Sequence, residues 1–314
     1  MASSRHRLGV ALLLDEPVRS EVEGLRRAVG DPSLGRMDPH VTLVPPVNVR
    51  PAELPAALST VRSAAASQQG PIVAALGPPA TFMPHNPVLY LEVGGELERL
   101  AELRDKVFEP PLARALTWPW IPHVTLGDGI AEERITASLA VMGDYASLAT
   151  FDRVVLLEEQ SGRRWAPLAD AYLGPPAVVG TGGMTVTITR SRLLDPEARS
   201  VIAVGFDVSG PVLSGPIVLT ARTQDGVAGA AGAWMDSSGA HAGVFVSEPC
   251  RRQGIGSHLL AHLESTARDI GWDCPALQAE GPAGFYESRS AWVRAPGGTM
   301  PATRTRRTSS GRAS

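Results

Sequence analysis

Apolar and polar residues alternate along Pro39-His40-Val41-Thr42-Leu43-Val44-Pro45-Pro46, and again along Pro122-His123-Val124-Thr125-Leu126. Such alternation predicts a short half-buried strand in each copy. Side chains on a strand repeat every two residues, so His and Thr share one face while Val and Leu point to the other. Each copy therefore sets an imidazole beside a hydroxyl and leaves an aliphatic face to build a core.

The surrounding pattern repeats as well. The continuous apolar run Leu8–Leu14 predicts a buried first strand, and Val18, Val22, Leu25 and Val29 fall at helical spacing, predicting an amphipathic helix over 17–29. After the first His-Val-Thr-Leu strand, Leu54, Leu58, Val61 and Ala65 mark a second helix, and 71–76 reads as a strand. The order then recurs: a strand at 88–93, a helix traced by Leu97, Leu100, Leu103 and Val107, the second His-Val-Thr-Leu, a helix over 131–142 and a strand at 153–157. Matching first strands, first helices and histidines lie 80, 79 and 83 residues apart. So steady a period predicts a duplicated strand–helix–strand–helix–strand lobe. Two lobes related by a pseudo-twofold would bring the His/Thr pairs face to face. A last strand, 165–173, closes the unit.

Gly174-Pro175-Pro176 and Gly180-Thr181-Gly182-Gly183 then interrupt the pattern, which predicts a linker over 175–183 between domains at 1–174 and 184–300. Beyond it, 184–190 alternates as a strand and 196–204 reads as a short helix. Strands follow at 218–222, 227–234 and 242–246, parted by Asp225-Gly226 and Ser238-Gly239 turns. Arg251-Arg252-Gln253-Gly254-Ile255-Gly256-Ser257 opens a helix whose apolar stripe is Leu259, Leu260, Leu263, Ala267 and Ile270. The fold class expected is α+β: a bilobal pseudo-twofold domain followed by a mixed α/β domain.

Composition narrows this further. A chain of 314 residues that is 44 % hydrophobic and 19 % charged has material for two cores. Its two cysteines, Cys250 and Cys274, lie away from any His at ligand spacing, so neither a disulfide framework nor a metal site is expected, and a cytoplasmic setting is. Arg5 and Arg7 before Leu8–Leu14 superficially resemble a signal peptide, but Asp15-Glu16-Pro17 stands where a small-residue cleavage site belongs. No run reaches the ~18 apolar residues of a membrane span. Residues 1–174 hold 16 basic against 21 acidic residues, a net −5, and residues 175–314 hold 13 against 11, a net +2. A −5 domain does not coat extended nucleic acid, which leaves small nucleotides and RNA ends. Residues 301–314, with Arg304, Arg306, Arg307 and Arg312 and no acid, read as a solvated basic disordered tail.

Two histidines suit phosphodiester cleavage. One neutral imidazole takes a proton from the attacking water or hydroxyl, and the other, protonated, gives one to the leaving oxygen. Thr42 and Thr125 then hydrogen-bond the non-bridging oxygens, where negative charge gathers. Two identical motifs at matching places in a repeat are hard to ascribe to packing. These residues resemble the 2H phosphoesterase superfamily, which includes the 2′-5′ RNA ligase-like proteins and cyclic phosphodiesterases, over residues 5–174. The resemblance implies a bilobal α+β fold and metal-free action on 2′,3′-cyclic phosphates or 2′-5′ linkages of nucleotides or RNA ends. It also implies His40 as the acid and His123 as the base. Trp118 and Trp120 read equally as base-stacking platforms or as core, and Arg163 and Arg164 as phosphate holders or as plain surface.

In the second half, glycines at a helix start let backbone N–H groups approach an anion. The Walker ending Gly-Lys-Ser/Thr is missing, and Leu259 stands where a dinucleotide fingerprint needs a small residue. The stretch from Val244-Phe245-Val246 through Gly256, with Gly284-Phe285-Tyr286-Glu287, resembles the GNAT N-acetyltransferases over 184–300. The resemblance implies acetyl-CoA held by the backbone around Val244, Val246, Arg251, Arg252, Gln253, Gly254, Gly256 and Ser257. It implies Tyr286 as the acid for the departing thiolate and an amine acceptor that the sequence does not name. Arg289-Ser290-Ala291-Trp292 departs from the family's usual ending. A bifunctional enzyme is expected; an acetyltransferase with a nucleotide-binding module, or a non-catalytic ligand sensor, stands as the alternative.

Overall fold

The computed structural model describes residues 5–181, 183–202, 214–236, 239–272 and 276–277. Backbone proximity divides the chain into two compact units, Met1–Pro175 and Pro176–Ser314.

The first unit runs β1 (His6–Leu13), α1 (Val18–Val29), β2 (His40–Val49), α2 (Leu54–Ala66), β3 (Ile72–Thr81), β4 (Val88–Gly95), α3 (Leu97–Val107), β5 (His123–Asp128), α4 (Glu132–Val141), β6 (Ser147–Phe151), β7 (Arg153–Gln160) and β8 (Arg164–Tyr172). Its eight strands form one sheet in the order β6-β3-β4-β5-β2-β1-β7-β8. The middle of that order is the junction of the two histidine strands, joined antiparallel through Val41 and Val124. Exchanging the two sides about this junction swaps β5 with β2, β4 with β1, β3 with β7 and β6 with β8, which is the pseudo-twofold that the 80-residue period predicts.

One feature departs from a lobe made of one repeat. The closing strand of the first repeat, β3, pairs with β4 of the second repeat, and β7 of the second pairs with β1 of the first. The helices cross in the same sense: α1 packs against β5 and β6, while α3 packs against β2. Each side of the sheet is therefore built from both repeats. Period alone does not carry this, because it fixes the order of elements and not their partners. The added strand β6, absent from the sequence reading, extends the sheet by pairing with β3.

The helical stripes and the aliphatic faces of both histidine strands share one core: Val22, Val29, Leu58, Val61, Leu100, Leu103, Val41, Leu43, Val124 and Leu126 are all buried in it. The helix α1 ends where its pattern says it should. Gly30 takes the left-handed conformation at φ 77°, and its N–H bonds the carbonyls of Arg26 and Arg27. The opposite face of the sheet carries a smaller cluster, Ala11, Val155 and Leu157, with Leu13, Met37 and Trp165 packed against it.

The second unit comprises β9 (Ala177–Thr181), β10 (Met184–Leu193), α5 (Pro196–Ile202), β11 (Ser214–Thr223), β12 (Gly226–Asp236), β13 (Gly239–Val246), α6 (Ile255–Asp269) and β14 (Ala276–Leu277). Its sheet has the order β14-β13-β12-β11-β10-β9. All neighbours are antiparallel except β13 and β14, which are parallel. Helix α6 lays Leu259, Leu260, Leu263 and Ala267 on this sheet. The stretch 175–183, expected as a linker, instead contains β9, which pairs with β10. Its Ala177-Val178-Val179 segment supplies the strand, and Gly183, at φ 80°, makes the turn that returns it. Glycine here punctuates a hairpin and does not end the sheet.

Candidate functional site

Alternation about the central junction decides what the sheet presents. Val41 and Val124 face each other across β2 and β5, so the residues next to them on both strands share the opposite face. That places His40, Thr42, His123 and Thr125 on one surface, away from the main core. Val41, Leu43, Val124 and Leu126 are fully buried on the other side.

The two histidines are anchored alike. His40 Nδ1 lies 2.7 Å from the carbonyl oxygen of Asp38, and His123 Nδ1 lies 2.8 Å from that of Ile121, in each case two residues upstream. A carbonyl only accepts, so each Nδ1 carries the proton and donates it. Each Nε2 is left with its lone pair. His40 Nε2 lies 3.1 Å from the Thr42 hydroxyl. Both rings are half-buried. Burial, against the opposing pull of the Asp38 carbonyl and with the help of nearby Arg26 and His123, holds the His40 pKa down from 6.5 to about 4. Burial likewise lowers that of His123. At neutral pH both imidazoles of the free protein are uncharged.

The loop that leads into β2 is clamped. The Arg26 guanidinium, buried on α1, meets Asp31 at 2.8 Å, Glu23 at 3.0 Å, the Ser33 hydroxyl at 3.0 Å and the Met37 carbonyl at 2.8 Å. It thus fixes the segment whose Asp38 carbonyl holds His40.

The two sides of the site are alike in backbone and unlike in filling. Ala11 on β1 stands opposite Thr42, and Tyr90 on β4 stands opposite Thr125, at equivalent positions of the pseudo-twofold. Tyr90 stacks on Phe82 at 4.2 Å, and both rings meet His123 edge-on, at 5.3 and 5.2 Å. Alanine fills nothing comparable. On its side a cleft of about 450 Å³ opens beside His40 and Thr42, lined also by Gly9, Ala11, Leu157 and Trp165.

The tryptophans and arginines flagged in the sequence separate. Trp120 packs against the core and its indole N–H donates to the Thr42 carbonyl at 2.8 Å, so it braces the first motif. Trp118 is 69 % exposed. Arg163 lines the cleft, and Arg164 is exposed at the start of β8. Arg26, Tyr90, Ala11 and Trp165 escaped the sequence reading. Strand register brings Tyr90, Ala11 and Trp165 to the site, and the loop that it clamps brings Arg26.

In the second unit β13 ends at Val246, and a short turn carries the chain to α6. Arg251 Nε donates to the Val246 carbonyl at 3.2 Å, tying the turn to the strand end. Arg252 and Gly254 both adopt left-handed backbone, at φ 66° and 86°. The first turn of the helix closes onto Gly254, whose carbonyl accepts from Ser257 and His258. The Thr181 hydroxyl caps the Gln253 carbonyl. A Cβ at Gly254 would fall 2.5 Å from that hydroxyl oxygen and would strain the left-handed backbone, so both space and φ favour glycine. Helix-start amides and a glycine turn together suit a pyrophosphate, and these residues fit acetyl-CoA. Val244 is buried and Val246 half-buried on the same strand. Glu248 is exposed in the turn. Tyr286 lies outside the described residues, as do Cys274, the 284–292 stretch and the 301–314 tail. Among the described residues no three His, Cys, Asp or Glu side chains gather as a metal set. No described helix is long and apolar enough to cross a membrane.

Comparison with known proteins divides the chain in the same way. Residues 14–163 match the family model of the 2′-5′ RNA ligase superfamily, and residues 214–289 match the acetyltransferase (GNAT) domain. A "Putative phosphoesterase" of Bacillus cereus strain ATCC 14579 is 26 % identical over 161 residues, which span 51 % of this chain and 92 % of that protein. A protein of the same description from Bacillus thuringiensis strain Al Hakam is 25 % identical over the same length and shares. Among solved structures, E. coli LigT complexed with 3′-AMP aligns with TM-score 0.40 and 17 % identity, over 54 % of this chain and 99 % of that one. The chain thus carries a match to the 2′-5′ RNA ligase superfamily in its first unit and a match to the acetyltransferase (GNAT) domain in its second.

Proposed function

We propose that the first unit is a metal-free two-histidine phosphodiesterase acting on 2′,3′-cyclic phosphates or 2′-5′ linkages of nucleotides and RNA ends. The observation that carries the reading is the common face of His40, Thr42, His123 and Thr125 beside the Val41–Val124 junction. His123 takes a proton from water, whose oxygen attacks phosphorus. The bond to a ribose oxygen breaks, and His40 delivers the proton to that oxygen. Thr42 and Thr125 donate to the non-bridging oxygens as charge builds there. His40 is neutral in the free protein at pH 7, so it acquires its proton with the phosphate anion in place, where the negative charge raises its pKa.

The second unit is read as an acetyl-CoA-dependent N-acetyltransferase. Acetyl-CoA would sit with its pyrophosphate on the turn Arg251–Ser257 and its pantetheine arm along Val244 and Val246. Tyr286 would protonate the departing thiolate, and the acetyl group would pass to an amine.

Incubation with a 2′,3′-cyclic nucleotide in the presence of EDTA tests the first reading. The ring-opened monophosphate is the expected product. Loss of His40 or His123 should cost on the order of 10²–10⁴ in rate, the usual worth of general acid–base catalysis. Activity lost to chelator, or retained in the His40→Ala/His123→Ala double variant, refutes it. Tight nucleotide binding with no turnover points to the ligand-sensor alternative.

A further inference from the structure

We infer that the phosphodiesterase site takes the terminal nucleotide of an RNA strand, gripping a second phosphate on the 5′ side of the nucleoside, in the cleft beside His40. The inference rests on the phosphodiesterase reading only for the identity of the scissile group.

The pseudo-twofold makes the two sides of the site equivalent in backbone, so their differences in side chain report what each must hold. Opposite Thr125 stands Tyr90, stacked on Phe82 and closing around His123. Opposite Thr42 stands Ala11, and the volume that a tyrosine would occupy is open. The organic part of the substrate therefore lies on the His40 side. The cleft has the size of a small-ligand pocket.

Its lining fits a nucleoside. Gly9, Ala11 and Leu157 give it an apolar floor, and the Trp165 indole packs beside them, with a ring atom 3.5 Å from where a Cβ on Gly9 would lie. Glycine at position 9 lets the indole lie close over the strand. An indole at the edge of an apolar slot is a stacking platform for a base.

Cations complete it. Arg7, Arg36 and Arg163 line the same cleft, with Glu159 and Asp128 as its acids. Arg7 is neutralised by Glu159 at 2.6 Å. Neither Arg36 nor Arg163 has a carboxylate within ion-pair distance among the described residues. The two belong together, since the Trp165 N–H donates to the Arg36 carbonyl at 2.8 Å and so ties the Arg36 loop to the turn that bears Arg163. The scissile phosphate is already served by two histidines and two threonines. Two further guanidinium groups lining the same cleft, that of Arg36 steadied by donation to the Pro32 carbonyl, match another phosphate, and in RNA that phosphate is the 5′ link to the next nucleotide.

The test measures kcat/KM for a 2′,3′-cyclic nucleoside phosphate, for the same compound bearing a 5′-phosphate, and for a dinucleotide ending in the cyclic phosphate. The two substrates with a 5′-phosphate should exceed the first by about tenfold or more, the scale of one charge-assisted contact. Arg36→Ala with Arg163→Ala should bring that ratio close to one. Ala11→Tyr, which copies the opposite side of the site, should lower kcat/KM for the dinucleotide. A ratio near one in the parent protein, or an unchanged ratio in the double arginine variant, overturns the inference. Calorimetry with a nucleoside 3′-phosphate and its 3′,5′-bisphosphate gives the same comparison without turnover. Preferential binding of the bisphosphate by a protein that cleaves nothing would sink the phosphodiesterase reading and keep this one. Equal binding would sink this one alone.

Discussion

Burial sets the working state of His40 and His123 before any substrate arrives. Both imidazoles are held below the 6.5 of a free histidine, His40 at about 4. The pH profile of kcat/KM reports the free protein's acid and base. With both groups titrating below 6.5, the bell should peak on the acid side of that value and fall through neutrality. The two limbs belong to the coupled pair and not to either residue. A profile measured from pH 4 to 9 that plateaus above pH 7.5 is the contrary result. The histidines and threonines were legible in the sequence because their chemistry and their two-residue spacing are local. Arg26 was not. It lies on a helix whose buried stripe is otherwise apolar, and only the folded loop shows the four oxygens that satisfy it. Ala11 and Tyr90 were equally silent, since a small and a large residue acquire meaning only when register makes them counterparts.

Elements were legible where a period was sustained. Helices α1 to α4 and the strands around them fall close to where apolar spacing puts them, and α6 begins at the glycine turn. Breaks were harder, because a Gly-rich stretch serves a hairpin as well as a linker and partners decide which, as β9 demonstrates. The start of α6 is where an element-scale prediction belongs. Gly256 is buried in the first turn of that helix. Gly256→Glu places bulk and negative charge at the pole where helix amides favour an anion. Calorimetry should find acetyl-CoA binding abolished in the variant while the helix content by circular dichroism stays near that of the parent. Equal affinity in both would falsify this placement of the cofactor.

At the scale of the molecule, the two cores are distinct: one gathers α1 to α4 on the eight-stranded sheet, the other gathers α6 on the six-stranded one. We expect fragments 1–175 and 176–314 each to unfold cooperatively when expressed alone, with midpoints close to those in the full chain. A first fragment that stays unfolded without the second would refute the boundary. Within the first unit no such cut exists. Because β3 sits beside β4 and β7 beside β1, a chain stopped after its first repeat would leave β3 without the neighbour it pairs with. Two copies of that half-length chain would satisfy one another by trading the strand, and would set two identical His-x-Thr strands side by side at the centre. The unit has the architecture of a swapped dimer fused into one polypeptide. Fusion is what frees the two copies to differ, an alanine in one and a tyrosine in the other, so that a symmetric frame presents two unlike sides.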